Sequence, residues 1–373
     1  MRFVGLKAGH GLLRFSMPNH SPMPVSMKAL FVCGSLNQTK MMHKISQHLP
    51  QFDCYFTPFF CDGPGRWVQK SGALDFTVLG GRFVKQTLRY LDQQGVQFDF
   101  EGKSRAYDLV VTCSDLIVPR RIRNSRLVLV QEGMTDPENF AFHLVKSLKL
   151  PRWLAQTSTT GMSDLYDVFC VASDGYRDLF ASKGVRREKI RVTGIPNFDH
   201  CDSYRDNDFP HSDYVLVATS DMRETFKYEN RRKFIERAKR IADGRSLIFK
   251  FHPNEEPIRA GREVERYAPG ALHFSDANTD HMIANCQTLV TRYSSVVYVA
   301  AALGKEIHCD LPHETVHRLL PMQNGGSSAR NIAAECLKLF EPGVAPRVRP
   351  VGPFSRYKLR LPKHPGAKQG HSG

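Results

Sequence analysis

Met27-Lys28-Ala29-Leu30-Phe31-Val32-Cys33-Gly34 is a short, almost unbroken apolar run that stops at a glycine. Its length fits a strand better than a helix, and its continuity means burial on both faces. Such strands belong to parallel sheets covered by helices, so a domain is predicted to start near Met27. Working outward, the pattern recurs. Strands are predicted at 53–56, 108–112, 127–130, 168–172 and 191–193, with helices over 83–94 and 174–183 that Gly95 and Gly184 stop. Residues 200–213 are polar and aperiodic, which marks a linker. A second series follows: strands at 214–218, 247–251, 288–291 and 306–309, helices at 229–241, 279–285, 295–303 and 327–340. Two successive β/α series give two doubly wound α/β domains, predicted over 27–199 and 214–341, whose facing strand ends form a cleft where ligands bind.

A length of 373 residues also favours two domains. No stretch approaches the ~20 apolar residues that span a bilayer, and no apolar leader with a small-residue cleavage site opens the chain. Nine cysteines without a Cys-x-x-Cys pair fit reduced, buried thiols and a cytoplasmic location. The net charge of +15 is concentrated at the ends. Arg2, Lys7 and Arg14 lie in an extension over 1–26, expected to be poorly ordered, and seven basic residues lie in a Pro/Gly-rich tail over 342–373. Neither end holds an acid, and the centre keeps only +5. The tail reads as a solvated extension or as an attraction to an anionic surface, a membrane before a nucleic acid, because the centre carries no RNA- or DNA-binding motif.

Four candidate places follow predicted strands. Gln131-Glu132-Gly133 follows 127–130: Glu132 is placed as a general base, with Gly133 letting substrate near the backbone, or else is a turn acid. Asp136, in Thr135-Asp136-Pro137-Glu138, reads as a helix cap. In Lys250-Phe251-His252-Pro253, Pro253 keeps His252 extended, where its ring can donate to a phosphate or move a proton. Arg292-Tyr293-Ser294-Ser295 opens a helix; the serines are either a phosphate cradle or simple caps, and Arg292 would add charge or face solvent. Gly194, in Thr193-Gly194-Ile195-Pro196, sets the turn where the halves meet. The loop from Gly34 through Asn37 to Thr39 is a candidate acceptor contact and not a Walker motif. No His/Cys spacing suits zinc and no Gly-x-Ser-x-Gly elbow occurs, so neither a metal nor a serine-hydrolase site is predicted.

Strand-Glu132-Gly133, Lys250-x-His252-Pro253 and the Ser294-Ser295 helix start, in that order, resemble enzymes of the Rossmann-like GT-B fold. The similarity is to bacterial CDP-glycerol glycerophosphotransferases and CMP-sialic-acid-dependent sialyl- and polysialyltransferases, and more distantly to UDP-N-acetylglucosamine 2-epimerases. It implies an inverting, metal-independent transferase without a cofactor. Such an enzyme moves a sugar or polyol phosphate from a nucleotide-activated donor to a glycan or lipid-linked acceptor, in cell-envelope or surface polysaccharide synthesis. Glu132 would be the base. His252 would stabilise the departing nucleotide, with Lys250, Pro253, Arg292, Ser294, Ser295 and Gly194 around the donor and Gly34, Asn37 and Gly133 toward the acceptor. The sialyltransferase motif has a second acid before the glycine, where this chain has Gln131. Epimerase-like chemistry and a non-catalytic scaffold are the alternatives.

Overall fold

The computed structural model describes residues 26–62, 81–220, 222–224 and 228–344. The extension over 1–26 and the basic tail over 342–373 therefore lie outside the described residues, apart from Ser26 and residues 342–344.

Two all-parallel sheets make the molecule. The first contains β1 (Met27–Cys33), β2 (Phe52–Pro58), β3 (Gln97–Phe98), β4 (Leu109–Thr112), β5 (Arg126–Val130), β6 (Val168–Val171) and β7 (Ile190–Val192), in the order 3-2-1-4-5-6-7. The second contains β8 (Val215–Ala218), β9 (Leu247–Lys250), β10 (Leu272–Phe274), β11 (Thr288–Val290) and β12 (Glu306–His308), in the order 10-9-8-11-12. The apolar runs explain the arrangement: β1 pairs with β2 on one side and β4 on the other, so Ala29 to Cys33 have no solvent face. In each sheet the strand order reverses beside its first strand, between β1 and β4 and between β8 and β11. Parallel sheets bind ligands at such switch points, off the carboxyl ends of the strands.

Connecting helices are α1 (Leu36–Ser46), α2 (Gly81–Gln93), α3 (Phe140–Leu148), α4 (Asp174–Lys183), α5 (Arg231–Ala242), α6 (Pro257–Tyr267), α7 (Thr279–Asn285), α8 (Val296–Ala302), α9 (His313–Arg318) and α10 (Ser328–Lys338). Sequence reading treats residues 34–39 as a loop, yet α1 begins there. Ser35 and Gln38 form a reciprocal capping box, a start signal that outweighs the modest apolar periodicity. Asp136 is not the cap of α3: Asn139 is, its side chain accepting from the Phe142 N–H at 2.9 Å. Helix α6, which periodicity also missed, starts at Pro257 with Glu256 capping it.

The lobes interlock at two places. Helix α10 follows the second sheet in sequence but packs on the first lobe, where Phe340 meets Phe52 at 5.3 Å between ring centroids and Glu335 pairs with Arg191. The buried hydroxyls of Tyr176 on α4 and Tyr298 on α8 share a hydrogen bond of 2.6 Å. A polar pair this deep is satisfied only while both partners stay in register, so it fixes the lobes' seam. All nine cysteines are free thiols, and among the described residues no helix is long and apolar enough to cross a membrane.

Candidate functional site

The first lobe's half of the site is built on the tips of β1, β4 and β5. Glu132 lies just past β5. Its Oε1 accepts from the Ser35 hydroxyl at 3.0 Å and its Oε2 from the Gln38 side-chain amide. Gln38 in turn accepts from the Ser35 N–H at 3.3 Å, so the capping box of α1 doubles as the cradle of the carboxylate. The cradle needs Gly34. A Cβ there would stand 1.8 Å from the Gln38 side-chain oxygen, where no atom fits. Burial raises the Glu132 carboxyl above the usual carboxylate range, and the bonds from Gln38 and Ser35 pull it part of the way back. The same charge adds to burial in pushing up the Cys113 thiol, which locates Glu132 near the tip of β4.

The neighbouring Gly133 sits at the seam of the lobes: a Cβ on it would lie 3.5 Å from the Phe198 ring of the first lobe and 3.9 Å from Ser295 Cβ of the second. Tyr293 spans the same gap, donating its hydroxyl proton to the Thr135 carbonyl at 2.6 Å. Around these contacts opens a cleft of about 560 Å³, lined from the first lobe by Met134, Asp136, Pro137 and Asn139 and from the second by residues that include Ser220, Ser294 and Ser295. Its size is within the range of small-ligand sites.

The second lobe contributes two turns, past strands β9 and β11, which flank β8 in the sheet. Past β11, Ser295 is the N-cap residue of α8 but its hydroxyl makes no capping bond, so side-chain capping does not occupy it. Past β9, the His252 N–H donates to the Thr219 hydroxyl at 3.1 Å and to Glu255 Oε2 at 3.2 Å, and the Asn254 N–H donates to His252 Nδ1 at 3.2 Å. A neutral imidazole that accepts at Nδ1 carries its proton on Nε2, so Nε2 is a donor. Glu255 beneath it has a fully buried side chain that also accepts from the Thr219 hydroxyl and the Arg231 guanidinium, while Arg231 reaches Glu229 at 3.0 Å. The histidine turn thus stands on a buried network of carboxylates and guanidiniums.

Other expected residues are placed differently. Lys250 is buried and its ammonium donates to the Phe251 and Ser275 carbonyls, both at 2.8 Å; burial lowers its pKa. Arg292 pairs with Asp310 at 2.9 Å. Gly194, at φ 73°, allows Ser328 and Asn324 to approach, since a Cβ would come within 2.2 Å of the Ser328 hydroxyl. Pro253 is exposed, and Asn37 is exposed on the first turn of α1. Sequence reasoning did not single out Ser35 or Gln38 as partners of Glu132. The Ser-x-x-Gln spacing was the available sign, but only the fold shows what else the pair holds.

No family model and no curated protein matches the chain. Solved structures do. One from Listeria monocytogenes, assigned as a UDP-N-acetylglucosamine 2-epimerase, is 12% identical over 85% of this chain and 97% of its own, with a TM-score of 0.52. The UDP-GlcNAc 2-epimerase from Neisseria meningitidis, bound to UDP-GlcNAc, is 11% identical over 84% of this chain and 100% of its own, with a TM-score of 0.50. The wall teichoic acid polymerase TagF is a looser match at 11% identity, 84% and 88% coverage and a TM-score of 0.48. At these identities the likeness is one of fold: two doubly wound Rossmann-like sheets across a cleft, the GT-B architecture.

Proposed function

We propose that the protein is a transferase that takes a sugar or polyol phosphate from a nucleotide-activated donor and delivers it to a glycan or lipid-linked acceptor. The observation that carries the reading is the Glu132 carboxylate, gripped by Ser35 and Gln38 at the tips of the first sheet, with its neighbour Gly133 facing Ser295 of the second lobe. A carboxylate with a raised pKa beside a cleft suits a general base working near neutral pH.

In this reading the first lobe (27–199) takes the acceptor and the second (214–341) the donor, with 200–213 connecting them. For a sugar donor, Glu132 removes the acceptor hydroxyl proton as the oxygen attacks the anomeric carbon. The bond from that carbon to the donor phosphate breaks, inverting the centre, and the nucleotide leaves with the electron pair. His252, through Nε2–H, and the hydroxyls of Ser294 and Ser295 meet the charge developing on phosphate, each such donor contributing up to about 3–4 kcal/mol at the transition state. Arg292 and Lys250, engaged with Asp310 and with backbone carbonyls, support the walls. Gly133 keeps the backbone open to the acceptor.

Epimerisation of the donor alone is the second reading, favoured by the names of the two fold relatives with the higher TM-scores. Incubation with UDP-, CDP- and CMP-activated donors, with and without envelope glycan or lipid acceptors, separates the two. Product that needs acceptor and disappears in Glu132→Gln supports transfer. Donor converted without acceptor means epimerisation, and no consumption under any condition contradicts both.

A further inference from the structure

Helix α3 has two apolar faces. Phe142 and Val145 are buried against the lobe, as a surface helix requires. Phe140, Leu144 and Leu148, one turn apart from each other, form a second row pointing away from the core, with Phe140 81% and Leu148 61% exposed. The chain then reverses at Lys149, in the left-handed conformation, and Pro151 leads into a 3-10 segment packed beside α3, where Trp153 and Leu154 extend the row. Five of the large exposed apolar side chains thus fall within fifteen residues, although leaving such groups in water gains nothing for a soluble fold.

The charge within the row is of one sign, with acids only at its ends, at Asp136, Glu138 and Asp164. From Asn139 to Ser163 there is no Asp or Glu, while Lys146, Lys149 and Arg152 fall in the same stretch. Lys146 holds its ammonium 5.5 Å from the Phe142 ring centroid and donates to the Lys183 carbonyl at 3.1 Å, and Arg152 donates to the Asp115 carbonyl at 2.9 Å, so two of the three cations are tethered beside the apolar row. Phe, Trp and Leu presented on a short helix and the segment after it, with basic residues interleaved among them, complement an anionic lipid interface, where rings and aliphatic chains enter the acyl boundary and ammonium groups meet head-group phosphates.

We propose that α3 and the segment from Arg152 to Leu154 form the face by which this protein docks on an anionic bilayer. Its position gives the docking a consequence. Asn139, which caps α3, and Pro137 also line the cleft, so the face begins at the cleft mouth. A lipid surface seated on it brings a membrane-borne acceptor to the site; that consequence rests on the transferase reading, whereas the docking does not.

Vesicle binding of the full chain tests it without any catalysis. With Trp67→Phe as background, Trp153 is the remaining tryptophan. Its emission is expected to shift to the blue on phosphatidylglycerol-containing vesicles and to stay unchanged on pure phosphatidylcholine. Leu148→Ser is expected to weaken binding by about tenfold or more, the value of one large side chain leaving the acyl boundary. Lys149→Gln should weaken it by about fivefold, and only on anionic vesicles. Both positions are exposed, so melting temperatures should match the parent. Binding unchanged in both variants but lost on deleting residues 345–373 overturns the proposal. So does a change of oligomeric state in Leu148→Ser, which would mean that a second copy covers the face.

Discussion

The Gln38 side-chain amide donates to the Glu132 carboxylate, joining residues 94 apart in sequence. One side chain thereby ends a helix cap and holds the candidate base, so the start of α1 and the chemistry of the cleft cannot vary independently.

The pH dependence of turnover should report this bond. Glu132 acts as a base only when ionised, and burial has raised its pKa, so kcat/KM should fall as pH drops through that raised value. The Gln38 and Ser35 bonds favour the charged form. Gln38→Ala or Ser35→Ala should therefore move the acidic limb to higher pH, with kcat reduced roughly tenfold at neutral pH. A limb that stays in place in both variants would show that neither donor tunes the base.

Gly34→Ala should behave like Gln38→Ala. The added methyl occupies the position of the Gln38 side-chain oxygen, expelling it from both the cap and the carboxylate. Helix capping alone makes this worth about 1 kcal/mol of stability. Because both changes remove the same group, the double variant should be little worse than either single one in denaturant unfolding and in kcat.

Glu132→Gln should abolish turnover and leave the fold intact. Sign decides the stability effect. A carboxyl whose folded pKa is raised destabilises the fold above its unfolded pKa, and that penalty fades as pH falls through the folded value. Removing the charge should therefore leave Tm at neutral pH equal or higher, measured by scanning calorimetry. A clear drop would mean that the carboxylate is primarily structural.

Glu255→Ala should cost roughly 3–5 kcal/mol, because it leaves the buried Arg231 short of one carboxylate and removes one of the two acceptors of the His252 N–H. Chemical denaturation gives the stability. Nucleotide affinity measured on the fraction still folded should fall as well, since the histidine turn loses its floor.

Much of this was legible in the sequence. The strands with unbroken apolar runs, such as β1 and β8, announce their burial on both faces, and α4 and α7 were predicted residue for residue. Strands β3 and β10, with two and three residues and little buried surface, carry too short a pattern to read. The tips of strands pointed to Glu132, His252 and Ser295 because position after a buried strand is itself a sequence property. What sequence could not give was the spending of charges. Lys250 and Arg292 look like phosphate ligands in a motif, and only the fold shows their ammonium and guanidinium committed to carbonyls and to Asp310. Asp136 likewise looks like a helix cap, yet it binds Thr157 at 2.6 Å because α3 starts further on, at Asn139.

Nucleotide binding across the cleft is tested most directly by calorimetric titration of the parent, His252→Ala and Glu132→Gln with CMP, CDP, UDP and GDP. One nucleotide should bind the parent preferentially, bind Glu132→Gln about as well, and lose about tenfold or more in His252→Ala. Equal affinity in the parent and His252→Ala, or no binding of any of the four, would contradict the account.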